Sequence, residues 1–178
     1  MNKNILGILA VLLLSMGILL AGSCALGTTP QTFTTTTGGT IYDSSSGVHT
    51  YNDFPLTVSR AGTAYGIVSV TIKGLNHTYA QDLTFSILDP AGEAYALMDQ
   101  KGSNNDFSGD YTFSDSGSAS LLISGGVITP GAYAATTPMD EMAYGSSLNG
   151  IWKLRITDNT SSDTGSLTGW EMVLNCTN

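Results

Sequence analysis

The most regular feature of the chain is alternation. Within Tyr65 to Lys73, Val68, Val70 and Ile72 fall on one side and Ser69, Thr71 and Lys73 on the other. Leu83, Phe85 and Ile87 share a side in the next segment, and Tyr95 to Met98 follows after the turn residues Asp89-Pro90-Ala91-Gly92. Further on, Trp152, Leu154 and Ile156 alternate with Lys153, Arg155 and Thr157, and Trp170, Met172 and Leu174 oppose Glu171 and Val173. A period of two with one polar side is what a strand needs when one face packs on a core and the other meets water. Short segments of this kind, separated by turn signals, are typical of sandwiches. From Gly39 onward no stretch carries a helical pattern. The expected fold class is therefore all-β, an antiparallel β-sandwich of about eight strands, and residues 39–176 are enough chain for one such core.

The N-terminal region reads differently. Ile5 to Ala21 is an apolar run broken only by Gly7, Ser15 and Gly17, behind a single basic residue, Lys3. This is the form of a targeting segment. Its end, Leu20-Ala21-Gly22-Ser23-Cys24, resembles the lipobox of bacterial lipoprotein signals. The resemblance implies removal of residues 1–23, acylation of Cys24, and a protein exported to the cell envelope and held at the membrane by its lipid. A single uncleaved transmembrane anchor and plain secretion are the alternatives, since the run is near the lower length limit for spanning a bilayer. Cys24 and Cys176 are the chain's two cysteines. A disulfide between them would compete with acylation. Residues 24–38, rich in Thr and Gly, read as a tether, with an edge strand of β-prone Thr as the alternative.

Charge narrows the partners. Six basic residues stand against fourteen acidic ones, a formal net charge of −8. A nucleic-acid partner needs a basic stripe, so it is excluded. The 21 glycines fit a turn-rich β protein rather than a helical bundle. No Gly-x-Ser-x-Gly, His-Glu-x-x-His, Cys/His metal spacing or phosphate-binding Gly-Lys-Ser loop occurs, and His49 and His77 are the two histidines. Tracts such as Ser44-Ser45-Ser46 and Ser146-Ser147 read as turns.

Several ordered blocks carry a family resemblance. Gly74-Leu75-Asn76-His77-Thr78-Tyr79-Ala80-Gln81-Asp82-Leu83, then Asp89-Pro90-Ala91-Gly92, then Asn149-Gly150-Ile151-Trp152-Lys153-Leu154, Asp158, Asp163-Thr164-Gly165-Ser166-Leu167 and Trp170 follow one another with Ile41 and Asp43 ahead of them. Together they resemble the P domain, or Homo B domain, of kexin- and furin-like proprotein convertases and of bacterial subtilisin-like proteases. The resemblance implies a jelly-roll-like sandwich that accompanies a subtilisin-type catalytic domain and is not itself catalytic. It points to an accessory role with a protein partner, such as a protease acting in trans, and to His77, Thr78, Tyr79, Asp82, Trp152 and Trp170 as framework residues.

The residue chemistry adds candidates of its own. His77 can serve as a switch or ligand, or fasten the loop from Asn76 to Asp82 together with Tyr79, with Asp82 accepting backbone N–H groups. Calcium is the candidate cofactor, because carboxylates in Gly-containing loops supply the oxygens it takes. Asp158 and Asp163 form one possible set, and Asp106, Asp110 and Asp115 another. Trp152 and Trp170 fall on apolar faces and are expected in the core. Tyr111, Tyr133 and Tyr144 are the candidate surface anchors if the sandwich is instead adhesive or glycan-binding. An unrecognised hydrolase is the least supported of the three functional classes.

Overall fold

The computed structural model describes residues 30–44 and 50–177. Cys24, His49 and the segment 1–23 lie outside the described residues. In chain order the strands are β1 (Gln31–Thr35), β2 (Gly39–Ile41), β3 (Thr50–Val58), β4 (Thr63–His77), β5 (Leu83–Leu88), β6 (Ala94–Asp99) and β7 (Asp106–Ser118). They continue as β8 (Ile123–Ser124), β9 (Val127–Ile128), β10 (Gly131–Tyr133), β11 (Gly150–Asp158), β12 (Gly165–Leu167) and β13 (Gly169–Thr177). One 3-10 turn, Ala80–Asp82, precedes β5. Among the described residues, no helix is long and apolar enough to cross a membrane.

Two sheets form the sandwich. The larger runs β1-β13-β4-β7-β9-β8, with β10 on β7 and β12 bridging β2 and β4; the smaller runs β3-β11-β5-β6. All pairings are antiparallel except β10 with β7 and β7 with β9. The alternation predicted from sequence builds the interior: Leu83, Phe85, Ile87, Trp152, Leu154, Ile156, Trp170, Met172 and Leu174 are all fully buried. Phe85 meets Phe107 and Phe113 at centroid distances of 5.6 and 5.9 Å, and Phe107 meets Tyr111 edge-on at 4.8 Å. Both indoles satisfy their N–H groups inside: Trp152 Nε1 donates to Leu148 O and Trp170 Nε1 to Phe54 O, each at 3.0 Å. The second bond joins the sheets, since Trp170 is on β13 and Phe54 on β3.

Two segments depart from the sequence reading. Val68 does not share the buried side with Val70 and Ile72; it is 38% exposed, and Ile67 is buried in its place. The cause is a register shift: Ser69 lies opposite Val173 but Ile67 opposite Leu174, so one residue of β4 has no partner across the ladder. Residues 31–35, read as part of a tether, form β1 on the edge of the larger sheet, in register with Trp170 to Leu174. The edge-strand alternative holds there. Arg60 secures this strand through a 2.6 Å bond to Gln31 Oε1 and by lying 5.8 Å from the Phe33 ring centroid.

The turn after β5 and the start of β11 are packed against each other. Asp89, 4% exposed, accepts the N–H groups of Ala91 and Glu93 on Oδ1 and the Ser146 hydroxyl on Oδ2. Gly150 has φ +145°, and a Cβ there would lie 2.7 Å from Pro90 Cβ. Backbone conformation and space therefore both require glycine. Gly150→Ala is expected to lower stability by about 2 kcal/mol or more, read as a fall in the urea midpoint; an unchanged midpoint would show that the Pro90 turn moves aside freely.

Candidate functional site

The densest polar arrangement is at the other end of β11. His77 closes β4, where it lies in register with Gly165 on one side and Phe107 on the other. Its ring reaches Asp158, the last residue of β11 in the opposite sheet, with Nε2 3.1 Å from Oδ2 and both side chains fully buried. Gly165 makes room for the ring: a Cβ at that position would fall 2.7 Å from His77 Cδ2 and 2.4 Å from Asn76 O. The glycine of the Asp163-Thr164-Gly165 block is thus set by packing.

The remaining ring nitrogen is also engaged locally. Nδ1 lies 3.2 Å from the Tyr79 N–H and 3.1 Å from Tyr79 O. A neutral ring accepts the N–H at Nδ1 and donates Nε2–H to Asp158; a protonated ring donates at both nitrogens, to Tyr79 O and Asp158. Asp158 accepts in either state. The loop around the pair is tied in the same manner. Thr78 donates its hydroxyl to Asp163 Oδ1 at 2.6 Å, and Asp158 Oδ1 accepts the Thr160 N–H at 3.2 Å. Asp82 acts through its backbone carbonyl, which accepts the N–H and the side-chain amide of Asn159, both at 2.8 Å. Asp43 accepts the Ser162 N–H at 2.7 Å on Oδ2, holding Ser162 at φ +104°, and its buried Oδ1 has no hydrogen-bond partner.

Burial pushes the Asp158 carboxyl above its ordinary range, and the nearby Asp43 adds to this. The bonds from His77 and Thr160 pull the other way without cancelling it. A carboxyl whose folded pKa is raised binds its proton more tightly folded than unfolded. Its contribution to stability is therefore greatest below the unfolded value of about 3.9 and declines as pH rises through the raised folded value.

The structure separates the other candidates. Asp106, Asp110 and Asp115 are spread along β7 rather than gathered in a loop; Asp110 Oδ1 accepts the Gly74 N–H and Asp115 Oδ1 the Met139 N–H. Asp158 and Asp163 are turned to His77 and Thr78. Among the described residues no three His, Cys, Asp or Glu side chains are grouped to hold a metal ion. Trp152 and Trp170 are core residues. Tyr111 and Tyr133 are core residues as well, 0% and 3% exposed, which removes them as surface anchors. Tyr111 donates its hydroxyl to Ile128 O at 2.6 Å. Tyr144 is 60% exposed, against Tyr65 at a centroid distance of 4.3 Å. Cys176, 1% exposed, is disulfide-bonded.

Residues 66–174 match the sequence profile of the proprotein convertase P-domain, which is more than half of the chain. The chain belongs to the proprotein convertase P-domain family. His77, Asp158 and Gly165 all lie inside the matched stretch. None of the curated proteins compared with the chain matches it. Among solved structures the chain is similar to a serine protease of Aeromonas sobria, with 15% identity and a TM-score of 0.46, over 83% of this chain and 28% of that one. It is similar to the same protease in its complex with a chaperone at 13% identity and a TM-score of 0.46, over 83% and 27% of the two chains. The chain thus spans little more than a quarter of the length of those proteases.

Asp158→Ala leaves the His77 nitrogen buried without its acceptor, and is expected to cost about 2–4 kcal/mol in urea unfolding. Asp158→Asn keeps an acceptor for Nε2–H. It is expected to cost clearly less and to flatten the decline of stability with rising pH across the acid range. Equal losses in the two variants, with an unaltered pH profile, would show that the carboxylate is not the partner that matters.

Proposed function

We propose that this chain is a non-catalytic P domain that serves as an accessory, protein-binding module for a subtilisin-like serine protease acting in trans. The observation that supports this most directly is the use made of His77. A general base must turn one nitrogen toward a nucleophile and the other toward an orienting group. His77 directs one nitrogen to a carboxylate and the other to the backbone of its own loop, inside a fully buried pair. The arrangement resembles half of a catalytic relay, but its second half is a loop fastening. Family membership supplies the accessory context, and proteolysis does not follow from the fold alone.

Crosslinking on intact cells, followed by a fluorophosphonate probe that labels the nucleophile of active serine hydrolases, tests this reading. A labelled protease is expected to be captured with the chain, and the purified chain is expected to take no label. Label on the purified chain, or capture without any labelled partner, overturns the proposal.

For localisation we propose export through the N-terminal apolar segment into an oxidising compartment of the cell envelope. Cys176 in a disulfide supports this, since such bonds persist outside the reducing cytosol. One sulfur cannot carry both a lipid thioether and a disulfide, so the lipobox-like reading of Cys24 and a disulfide at that residue exclude each other. Intact mass spectrometry of the protein from its envelope is expected to show no acyl-glyceryl addition and a gain of a pair of hydrogens on reduction. An acyl-glyceryl mass on Cys24 would restore the lipid anchor instead.

A further inference from the structure

The β3 edge of the smaller sheet, where the residues around β2 lie beside it, carries an arrangement that neither the P-domain framework nor the accessory role accounts for. Tyr42 and Tyr51 are 66% and 63% exposed, and neither ring is needed by the core. Tyr51 lines two open grooves, of about 330 and 300 Å³; Tyr42 lines the first and Arg155 the second.

Both tyrosines are held in place. Asn52, 6% exposed, accepts the Tyr42 N–H at 2.9 Å, donates to Tyr42 O at 3.2 Å and donates to Ile156 O at 3.2 Å, so one buried amide fixes the Tyr42 backbone to β11. Tyr51 is set by its pairing with Thr157, and the Arg155 guanidinium lies 4.6 Å from its ring centroid. Arg155 is in turn locked by two bonds to Asp53, at 2.6 and 2.9 Å. Such preorganisation lowers the entropy lost when a ligand binds.

The lining chemistry selects the ligand class. Among the described residues, the charged side chains in the two grooves are Asp53 and Arg155, which neutralise each other. Lys153 reaches the same carboxylate at 3.2 Å but lines neither groove. The three charges leave one net positive, carried on Lys153 outside both grooves; a cationic ligand would meet that charge, and an anionic one would find Arg155 already committed to Asp53 through two bonds. An apolar ligand needs enclosing apolar walls, whereas these grooves are open and bear Thr40, Thr84, Ser86 and Asn159. A peptide strand added to the β3 edge is opposed by Pro55, which has no N–H to donate and lies in the first groove. What remains is a neutral ligand with many hydroxyls and a face of C–H groups. The C–H face suits the negative face of a tyrosine ring, and the hydroxyls suit Thr37, Thr40 and Ser86 and the outward edge of the Asp53–Arg155 pair. The Thr84 hydroxyl and the Asn159 amide N–H groups are already bonded to Asp99, Asp82 and each other.

We propose that the Tyr42–Tyr51 face is a binding site for a neutral oligosaccharide. The tyrosines act as stacking platforms and the flanking hydroxyl groups fix the orientation of the sugar. The site lies away from Tyr144, which the sequence had offered as an anchor, and it is independent of the protease partnership.

Isothermal titration of the full chain, kept in a zwitterionic detergent because of its apolar N-terminal run, tests the proposal against cellohexaose, laminarihexaose, maltohexaose and chitohexaose, with hexagalacturonate as the charged control. At least one neutral hexasaccharide is expected to bind with a dissociation constant below about 1 mM. Tyr42→Ala and Tyr51→Ala are each expected to weaken it by about tenfold or more while the melting temperature stays within about 2 °C. Tyr51→Phe, which keeps the ring, is expected to retain most of the affinity. No binding by any neutral member, binding that survives both Ala variants, or preference for hexagalacturonate would overturn the proposal.

Discussion

The bond from His77 to Asp158 ties the two sheets together where the alternating pattern of apolar residues can no longer do so. Along the middle of the sandwich, Phe85, Ile87, Leu154, Met172 and their neighbours bury apolar surface and need no specific partner. At the end of β4 and β11 the chain must leave the core, and its polar backbone must turn without losing hydrogen bonds. A buried imidazole and a buried carboxylate, each costly alone, satisfy each other there and recruit the backbone of Tyr79 and Thr160. Trp170 Nε1 and Phe54 O provide a second link of the same type nearer the middle. Apolar burial draws the sheets together, and these directional bonds help fix how they are aligned.

Blocks far apart in sequence meet at the two ends of β11. At its start, Gly150 has no room for a side chain because Pro90 occupies that space, and Asp89 gathers the turn onto Ser146. At its end, Asp158 meets His77, while Gly165 clears the space for the ring. This explains why the blocks Asp89-Pro90-Ala91-Gly92, Asn149-Gly150, His77-Thr78-Tyr79 and Asp163-Thr164-Gly165 occur together in one chain. Each is half of a contact whose other half lies elsewhere in the sequence. Their residue types follow from steric and hydrogen-bonding needs, without any appeal to catalysis.

The strands of the sandwich were legible because a half-buried strand writes its environment into every second residue. That rule held at β5, β11 and β13 and failed at Val68, since an unpaired residue in the ladder moves the following side chains to the other face without changing the composition of the segment. Residues 31–35 were hard to place for a related reason: a five-residue edge strand of Thr and Gln reads much like a polar linker until its partner is known. The aspartates were ambiguous in principle. A carboxylate that accepts a backbone N–H, as Asp110 and Asp115 do, and one that ligates calcium occupy the same kind of Gly-containing sequence. Only the placement of neighbours distinguishes them. Asn52 carried no signal at all, because a lone Asn within a strand is unremarkable until its amide is seen spanning Tyr42 and Ile156.

Placing the family blocks in the framework has a consequence for where recognition can reside. His77 and Asp158, which hold β4 to β11, are fully buried, so a partner cannot touch them without opening the end of the sandwich. Contact with anything outside must be made by positions the framework leaves free. On the smaller sheet those positions are polar in a specific way: Asp53 cancels Arg155, Arg155 steadies Tyr51, and the remaining neighbours are hydroxyls and amides. On a chain whose formal net charge is −8, a face where one carboxylate is matched by two cations, Arg155 and Lys153, stands apart in charge. Solubility alone requires no such face, since scattered charges would serve that end with less order. The Asn52 amide and the Arg155 guanidinium first serve the fold, joining Tyr42 and β3 to β11, and in doing so they leave two exposed rings on a fixed backbone, which lowers the entropy that any contact with those rings would cost.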